Sequence, residues 1–237
     1  MTAFALVHGA WEGAWIWERL TPELEARGHH VVAVDLPCED GTATFEEYAE
    51  VVVRALDAEA LEEVVVVGHS LAGLTIPLVA ARRPVSRLIY LCALVPIPGR
   101  SFAEQLGIEP DTLRPGYEAG LSEPDDQSRT HWLDEGVARS VLYADCDEGD
   151  ARAAFERLRP QARTPYAHPC PIDAFPSTPR TYVLCSEDRL VNSNRARKVA
   201  RERLDAEVVE LPGSHSPFLS RPGELAEVLH QRAGVTT

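Results

Sequence analysis

The run Val64-Val65-Val66-Val67-Gly68-His69-Ser70-Leu71-Ala72-Gly73 constrains this chain most: four consecutive valines leading into a serine set among small residues. Four β-branched side chains in a row cannot alternate between a wet and a dry face. They predict a strand buried on both faces, as in the interior of a parallel sheet. Parallel neighbours need long crossover connections, usually helices. Further apolar runs at Ala3 to His8, His30 to Asp35 and Arg87 to Ala93 predict strands. Thr44-Phe45-Glu46-Glu47 reads as a capping box opening an amphipathic helix through Tyr48, Val51, Val52, Ala55 and Leu56. An earlier helix is expected with Thr21 as its cap, Pro22 at its first position and Gly28 just past its end. The expected fold class is α/β, a mostly parallel central sheet flanked by helices.

After the fourth predicted strand the alternation stops. Residues 96–179 hold 11 of the chain's 18 prolines and seven of its 16 aromatic side chains (Phe102, Tyr117, Trp132, Tyr143, Phe155, Tyr166 and Phe175), with one short helix expected over Asp150 to Leu158. A long insert in a compact domain is usually functional, and this one is read as a mostly helical lid. The alternation then resumes with a strand at Arg180 to Cys185, a helix at Asn194 to Leu204, a strand at Glu207 to Leu211 and a final helix at Gly223 to Ala233. The expected organisation is a core of residues 1–95 and 180–237 carrying an inserted lid, 96–179, within one domain; 237 residues is a size one hydrophobic core supports.

The serine at the end of the valine run predicts a nucleophile elbow. A sharp strand-to-helix turn strains the serine backbone, demands small neighbours and lifts the hydroxyl clear of the sheet. Ala72 stands where the usual second glycine would be, with Gly73 following, a mild departure; Pro77 further along should kink any continuous helix. A serine hydroxyl needs a general base. Of eight histidines, His215 is the candidate, in the loop Pro212-Gly213-Ser214-His215-Ser216-Pro217 between the last predicted strand and the last helix. His69, beside the serine, and His8, at a strand end, read as structural. The base in turn needs a carboxylate to hold its tautomer. Asp188, just after the strand ending at Cys185, is the candidate, and the adjacent Glu187 is its rival. Oxyanion-hole donors are expected from the backbone N–H groups of Leu71 and of Ala10, in the loop His8-Gly9-Ala10-Trp11. Gly9, Trp11 and Trp132 are expected at the substrate pocket.

The formal charge of −14 argues against polyanionic partners, which the whole-protein field would repel, so no nucleic-acid or anionic-membrane partner is expected. The basic run Arg195, Arg197, Lys198, Arg201 and Arg203 reads as a solvated helix face. Five cysteines without a CxxC pair or Cys/His ligand spacing predict neither a zinc site nor a disulfide framework. With no signal-like or membrane-spanning run, a cytoplasmic location is expected. A homodimer is compatible with everything in the sequence.

The segments Val7-His8-Gly9-Ala10-Trp11-Glu12-Gly13-Ala14-Trp15-Ile16-Trp17, Gly68 to Gly73, and Gly213-Ser214-His215-Ser216-Pro217-Phe218-Leu219-Ser220-Arg221-Pro222 resemble the plant methylesterase and hydroxynitrile lyase branch of the α/β-hydrolase superfamily and its bacterial esterase relatives. The order Ser70, Asp188, His215 also follows that of α/β-hydrolases. The resemblance implies a Ser70–His215–Asp188 triad, an oxyanion hole at Ala10 and Leu71, a helical cap and no cofactor. It further implies a small-molecule ester as the substrate. Lyases of the branch carry a threonine after the first histidine and a lysine after the catalytic one; here those positions are Gly9 and Ser216, which favours ester hydrolysis. Cyanohydrin cleavage, a redirected cyclase or lyase step, and ligand binding without turnover are the rival readings. An epoxide or haloalkane hydrolase would carry an aspartate at Ser70.

Overall fold

The structure, a computed structural model, describes residues 2–234. Six parallel strands form one sheet: β1 (Ala3–Val7), β2 (His30–Val34), β3 (Val64–His69), β4 (Arg87–Leu91), β7 (Arg180–Cys185) and β8 (Glu207–Leu211), in the spatial order β2-β1-β3-β4-β7-β8. A separate antiparallel ribbon pairs β5 (Arg129–Thr130) with β6 (Gln161–Ala162). β1, β3 and β4 are buried along their whole length, as a valine-rich central strand requires.

Helices cover both faces. On one lie α2 (Phe45–Ala58), α3 (Ile76–Arg82) and α8 (Ser193–Glu202), burying Tyr48, Val52, Leu56, Val79 and Ala200 against Ala5, Val64, Val66 and Tyr90. On the other lie α1 (Leu20–Glu25), the short α9 (Pro217–Ser220) and α10 (Pro222–Ala233), burying Leu20, Leu24, Phe218, Leu225 and Leu229 against Leu6, Val65, Val67 and Val183. The capping box of α2 is formed, with Thr44 Oγ1 accepting from Glu47 N and the Glu47 carboxylate accepting from Thr44 N. Helix α1 begins a residue before Thr21, follows Arg19 and has no side-chain cap, because Trp15 and Trp17 lead into it through a 3-10 turn at Ala14–Trp17. Gly28 does turn the chain after it, at φ 80°.

The segment between β4 and β7, residues 96–179, is less helical than the sequence suggests. It holds α4 (Phe102–Ile108), α5 (Glu135–Leu142), α6 (Glu148–Phe155) and α7 (Thr164–Ala167), together with the β5–β6 ribbon and irregular chain. Its third hydrophobic cluster, around Trp11, Trp132, Ala138, Leu142 and Tyr143, sits above the carboxyl ends of the strands. The basic run on α8 is only partly a solvated face. Arg195 and Arg203 both turn onto the buried Glu109 at the end of α4, Arg195 at 2.6 Å, which joins the inserted segment to the core.

Candidate active site

In an open parallel sheet, ligands bind beyond the carboxyl ends of the strands, where successive crossovers part in opposite directions. Here that point lies between β1 and β3. β3 runs into Ser70 at φ 51°, a left-handed conformation in a non-glycine residue, and a 3-10 turn continues over Ser70–Leu74. Trp11 (φ 62°), in the loop after β1, and Cys92 (φ 46°), at the end of β4, are strained in the same way. The glycines of the elbow are enforced by contact. A Cβ on Gly68 would lie 2.7 Å from Ile76 Cγ2, and one on Gly73 would lie 2.0 Å from the Leu94 carbonyl oxygen. The strict glycine requirement therefore falls at Gly73, and Ala72 is buried without difficulty. Pro77 causes no kink, because the 3-10 turn ends at Leu74 and α3 begins afresh at Ile76, placing the proline in its first turn.

His215 Nε2 lies 3.0 Å from Ser70 Oγ, and His215 Nδ1 lies 2.8 Å from Asp188 Oδ2. Asp188 is the carboxylate that faces the imidazole; Glu187 is exposed, with its backbone N–H given to the Gly213 carbonyl. The second oxygen of Asp188 accepts the N–H groups of Leu190 (2.8 Å) and Val191 (2.9 Å), so the carboxylate is held at both ends. Burial pushes the His215 imidazolium down, but the charge and hydrogen bond of Asp188, with Glu12 behind it, outweigh this and hold it above its ordinary value. Cys92 Sγ, Asp188 and His215 present ligand-type atoms within 4.8 Å of one another; burial holds the thiol well above its usual range, and the carboxylate and imidazole are occupied by each other.

A cavity of about 290 Å³ opens beside Ser70. Ala10, Trp11, Leu71 and Leu94 form its floor, and the inserted segment supplies apolar walls from Phe102, Leu106, Leu113, Tyr117 and Tyr166. Glu118, Glu123 and Arg163 also line it. Ala10 and Leu71, expected as oxyanion donors, border the cavity beside the serine. Among the described residues the Ala10 N–H has no protein acceptor, whereas the neighbouring Trp11 N–H faces Gln161 Oε1 at 3.4 Å.

Two of the three expected pocket residues are placed otherwise. Trp132 stands one layer back, edge-on to Trp11 with ring centroids 5.6 Å apart, where it props up the pocket wall. Gly9 is packed against the elbow: a Cβ there would lie 2.8 Å from Ser70 Cβ, and its N–H is given to Glu12 Oε2 at 3.0 Å. Trp11 does line the cavity, held by Thr130 through its indole N–H at 3.1 Å. His8 is structural as expected. Its Nδ1 meets the Gly9 carbonyl at 2.8 Å and its Nε2 accepts from Leu36 N at 2.9 Å.

Glu12 is absent from the sequence-based candidates, yet it is a carboxylate only 2 % exposed, 3.0 Å from His69 Nδ1. The signal available in the sequence was slight: an acidic residue among four aromatic or small neighbours, Trp11, Gly13, Ala14 and Trp15.

A wholly parallel sheet with a strained serine at one strand end, and a hydrogen-bonded histidine and aspartate brought from two later strand ends, defines an α/β protein of the hydrolase class. Residues 4–228 match the alpha/beta hydrolase family, and the chain belongs to it. It is 30% identical over 246 residues to the pyrethroid hydrolase of Sphingobium wenxiniae, covering 97% of this chain and 86% of that one. It is 26% identical over 248 residues to methylesterase 9 of Arabidopsis thaliana, covering 97% of each. The crystal structure of a pyrethroid hydrolase from Sphingobium faniae JZ-2 superposes with a TM-score of 0.83 at 28% identity, covering 98% and 97% of the two chains. Among the described residues no helix is long and apolar enough to cross a membrane.

Proposed function

We propose that this chain hydrolyses small carboxylic esters with an apolar or aromatic part, through an acyl-enzyme on Ser70. The observation that carries the reading is the unbroken line Asp188–His215–Ser70, with spacings of 2.8 and 3.0 Å, ending at the floor of an apolar cavity. The esterase names of its relatives, methylesterase and pyrethroid hydrolase, support the ester bond as the target.

In this reading His215 Nε2 takes the Ser70 proton as Oγ attacks the ester carbonyl, while Asp188 keeps the ring proton on Nδ1 and stabilises the imidazolium. The carbonyl oxygen, becoming an oxyanion, turns to the N–H groups of Ala10 and Leu71. Collapse of the tetrahedral intermediate breaks the C–O bond to the alcohol, which leaves with the proton from His215. A water then repeats the sequence on the acyl-enzyme, with His215 as base, to release the acid and free Ser70. The chemistry needs no cofactor. A volume of about 290 Å³ is at the lower end for a ligand pocket and sets the scale of the acyl part. The inserted segment acts as the lid, since its side chains supply most of the apolar wall. Gly9 also favours hydrolysis over cyanohydrin cleavage, because a threonine there would drive its Cβ into Ser70.

The test is turnover of p-nitrophenyl acetate and butyrate and of methyl esters of aromatic acids, by the native protein and by Ser70→Ala. Loss of about a thousandfold or more in kcat on removing the nucleophile supports the reading. Absence of turnover by a folded native protein on every ester overturns it.

A further inference from the structure

Behind the line Asp188–His215–Ser70 lies a second buried carboxylate and imidazole. Glu12 Oε2 accepts the N–H of Gly9 at 3.0 Å and meets His69 Nδ1 at 3.0 Å; on its far side His69 Nε2 meets the backbone carbonyl of His215, also at 3.0 Å. Glu12 and His69 are 2 % and 1 % exposed. The network thus joins three chain segments. Gly9 precedes the expected oxyanion donor Ala10, His69 precedes the nucleophile, and the carbonyl belongs to the base itself. The reacting groups come from three strand ends far apart in sequence, and Glu12 is where their backbones are tied together.

The protonation of this network follows from its partners. A carbonyl only accepts, so His69 Nε2 carries a proton. On the other side one further proton must lie between Nδ1 and the carboxylate, because neither Glu12 Oε2 without a proton nor a bare Nδ1 could hold that contact alone. Glu12 and His69 together are therefore net neutral, a condition a dry site can bear. Burial would raise the Glu12 carboxyl, but the charge and hydrogen bond of His69, with His215 and His8 further off, bring it below its usual range.

We infer that Glu12 is a positioning residue for ester hydrolysis by this chain, acting through Gly9 and His69 to hold the oxyanion loop and His215 in register with Ser70. The inference rests on the serine-hydrolase reading above. It also has an electrostatic side, since Glu12 helps Asp188 favour the His215 imidazolium. The groups facing His215 are Asp188 from the loop after β7, Cys92 from the end of β4, His69 from β3 with ring centroids 4.7 Å apart, and Glu12 from the loop after β1. His8 in turn acts on Glu12, and Glu12 acts on the buried Tyr143. Glutamine cannot replace Glu12 without loss. Its amide must offer oxygen to Gly9 N–H, which leaves the second proton on a His69 that no longer has a counter-charge.

The experiment compares native protein, Glu12→Gln and Glu12→Asp. The readouts are the second-order rate of Ser70 modification by a fluorophosphonate from pH 5 to 9, ester turnover where present, and thermal unfolding. Glu12→Gln is expected to slow modification about tenfold to a hundredfold, the loss expected for a buried hydrogen bond to a charged group. Its acid limb should move to lower pH, because the carboxylate that balances His69 beside the His215 ring is gone, and KM should change less than twofold, since Glu12 does not line the cavity. Glu12→Asp keeps the charge with one methylene fewer; it should keep the native acid limb and lose rate, and it carries the test if Glu12→Gln fails to fold. A folded variant with native rate and native acid limb overturns the inference, and so does a lower Tm with neither changed. A native protein that neither reacts with the fluorophosphonate nor turns over an ester overturns the serine-hydrolase reading and this inference with it. Normal native reactivity beside an unaffected Glu12→Gln overturns the inference alone.

Discussion

Asp188→Asn tests the tautomer argument at its most sensitive atom. In the native site Asp188 Oδ1 accepts from Leu190 N at 2.8 Å and Val191 N at 2.9 Å, and Oδ2 faces His215 Nδ1 at 2.8 Å. Asparagine has one acceptor oxygen, and the two backbone N–H groups claim it because an NH2 cannot accept. The NH2 is then forced against Nδ1. The ring proton moves to Nε2, which points it at Ser70 Oγ and leaves no lone pair to take the serine proton. Restoring the productive tautomer means turning the amide over and leaving two buried N–H groups without acceptors, at about 1–3 kcal/mol each. Loss of the negative charge that stabilises the imidazolium adds to this. The sum, about 4–5.5 kcal/mol, corresponds to a fall in kcat of about a thousandfold to ten-thousandfold. KM should hold within a few-fold, because Asp188 does not line the cavity. The assay is steady-state hydrolysis of p-nitrophenyl butyrate, with thermal unfolding to establish that the variant is folded. A folded Asp188→Asn within tenfold of the native kcat would refute the reasoning.

The net effect on His215 raises its imidazolium, and only the neutral ring acts as base, so kcat/KM should rise with pH to a plateau with an acid-limb midpoint above about 6.5; a midpoint below 6 contradicts it. Burial drives His8 down to about 4, so the unfolded chain binds this proton near 6.5 and the folded chain only near 4. His8 should accordingly remove about 3 kcal/mol of stability as pH falls across that window, and denaturant unfolding of His8→Gln at pH 7 and pH 4 should show a smaller loss than the native protein. Gly73→Ala puts a Cβ 2.0 Å from the Leu94 carbonyl oxygen and should cost about 1–3 kcal/mol with a loss of activity, read by thermal unfolding and ester turnover. Glu109→Gln leaves Arg195 and Arg203 without their shared carboxylate and should lower Tm by a few degrees in thermal unfolding, while the kcat of the folded fraction holds.

The parts of this molecule legible in its sequence are those set by local physics. All six strands of the main sheet lie where apolar runs predict them: β1, β3, β4 and β7 are buried almost throughout and leave continuous runs, while the edge strands β2 and β8 are marked by their β-branched residues although partly exposed. The elbow is legible because strain at Ser70 demands small neighbours, although which of Ala72 and Gly73 carries the strict requirement depends on a carbonyl 21 residues away, at Leu94. Thr21 fails as a cap for a similar reason: tertiary contacts of the tryptophan-rich turn start the helix earlier than its own residues would. The β5–β6 ribbon is two residues long on each side, too short for any periodicity to show.

Charged residues buried by partners distant in sequence are hardest to read, as Glu109 and Glu12 show. Arg195 and Arg203 appear as a solvated basic face until Glu109, on the inserted segment, is seen beneath them. Glu12 looks like a surface acid between aromatic residues until the sheet places His69 against it, 57 residues on. In both, a carboxylate is buried only because the complete fold supplies a compensating cation or proton, which no window of sequence contains. Such residues cost stability unless paired. At Glu109 the pairing fastens the inserted segment to the core; at Glu12 it fastens the strand ends that carry the reacting groups to one another. The second is the more demanding task, because a displacement of even an ångström at Ser70, His215 or the Ala10 amide degrades a reaction that depends on all three at once.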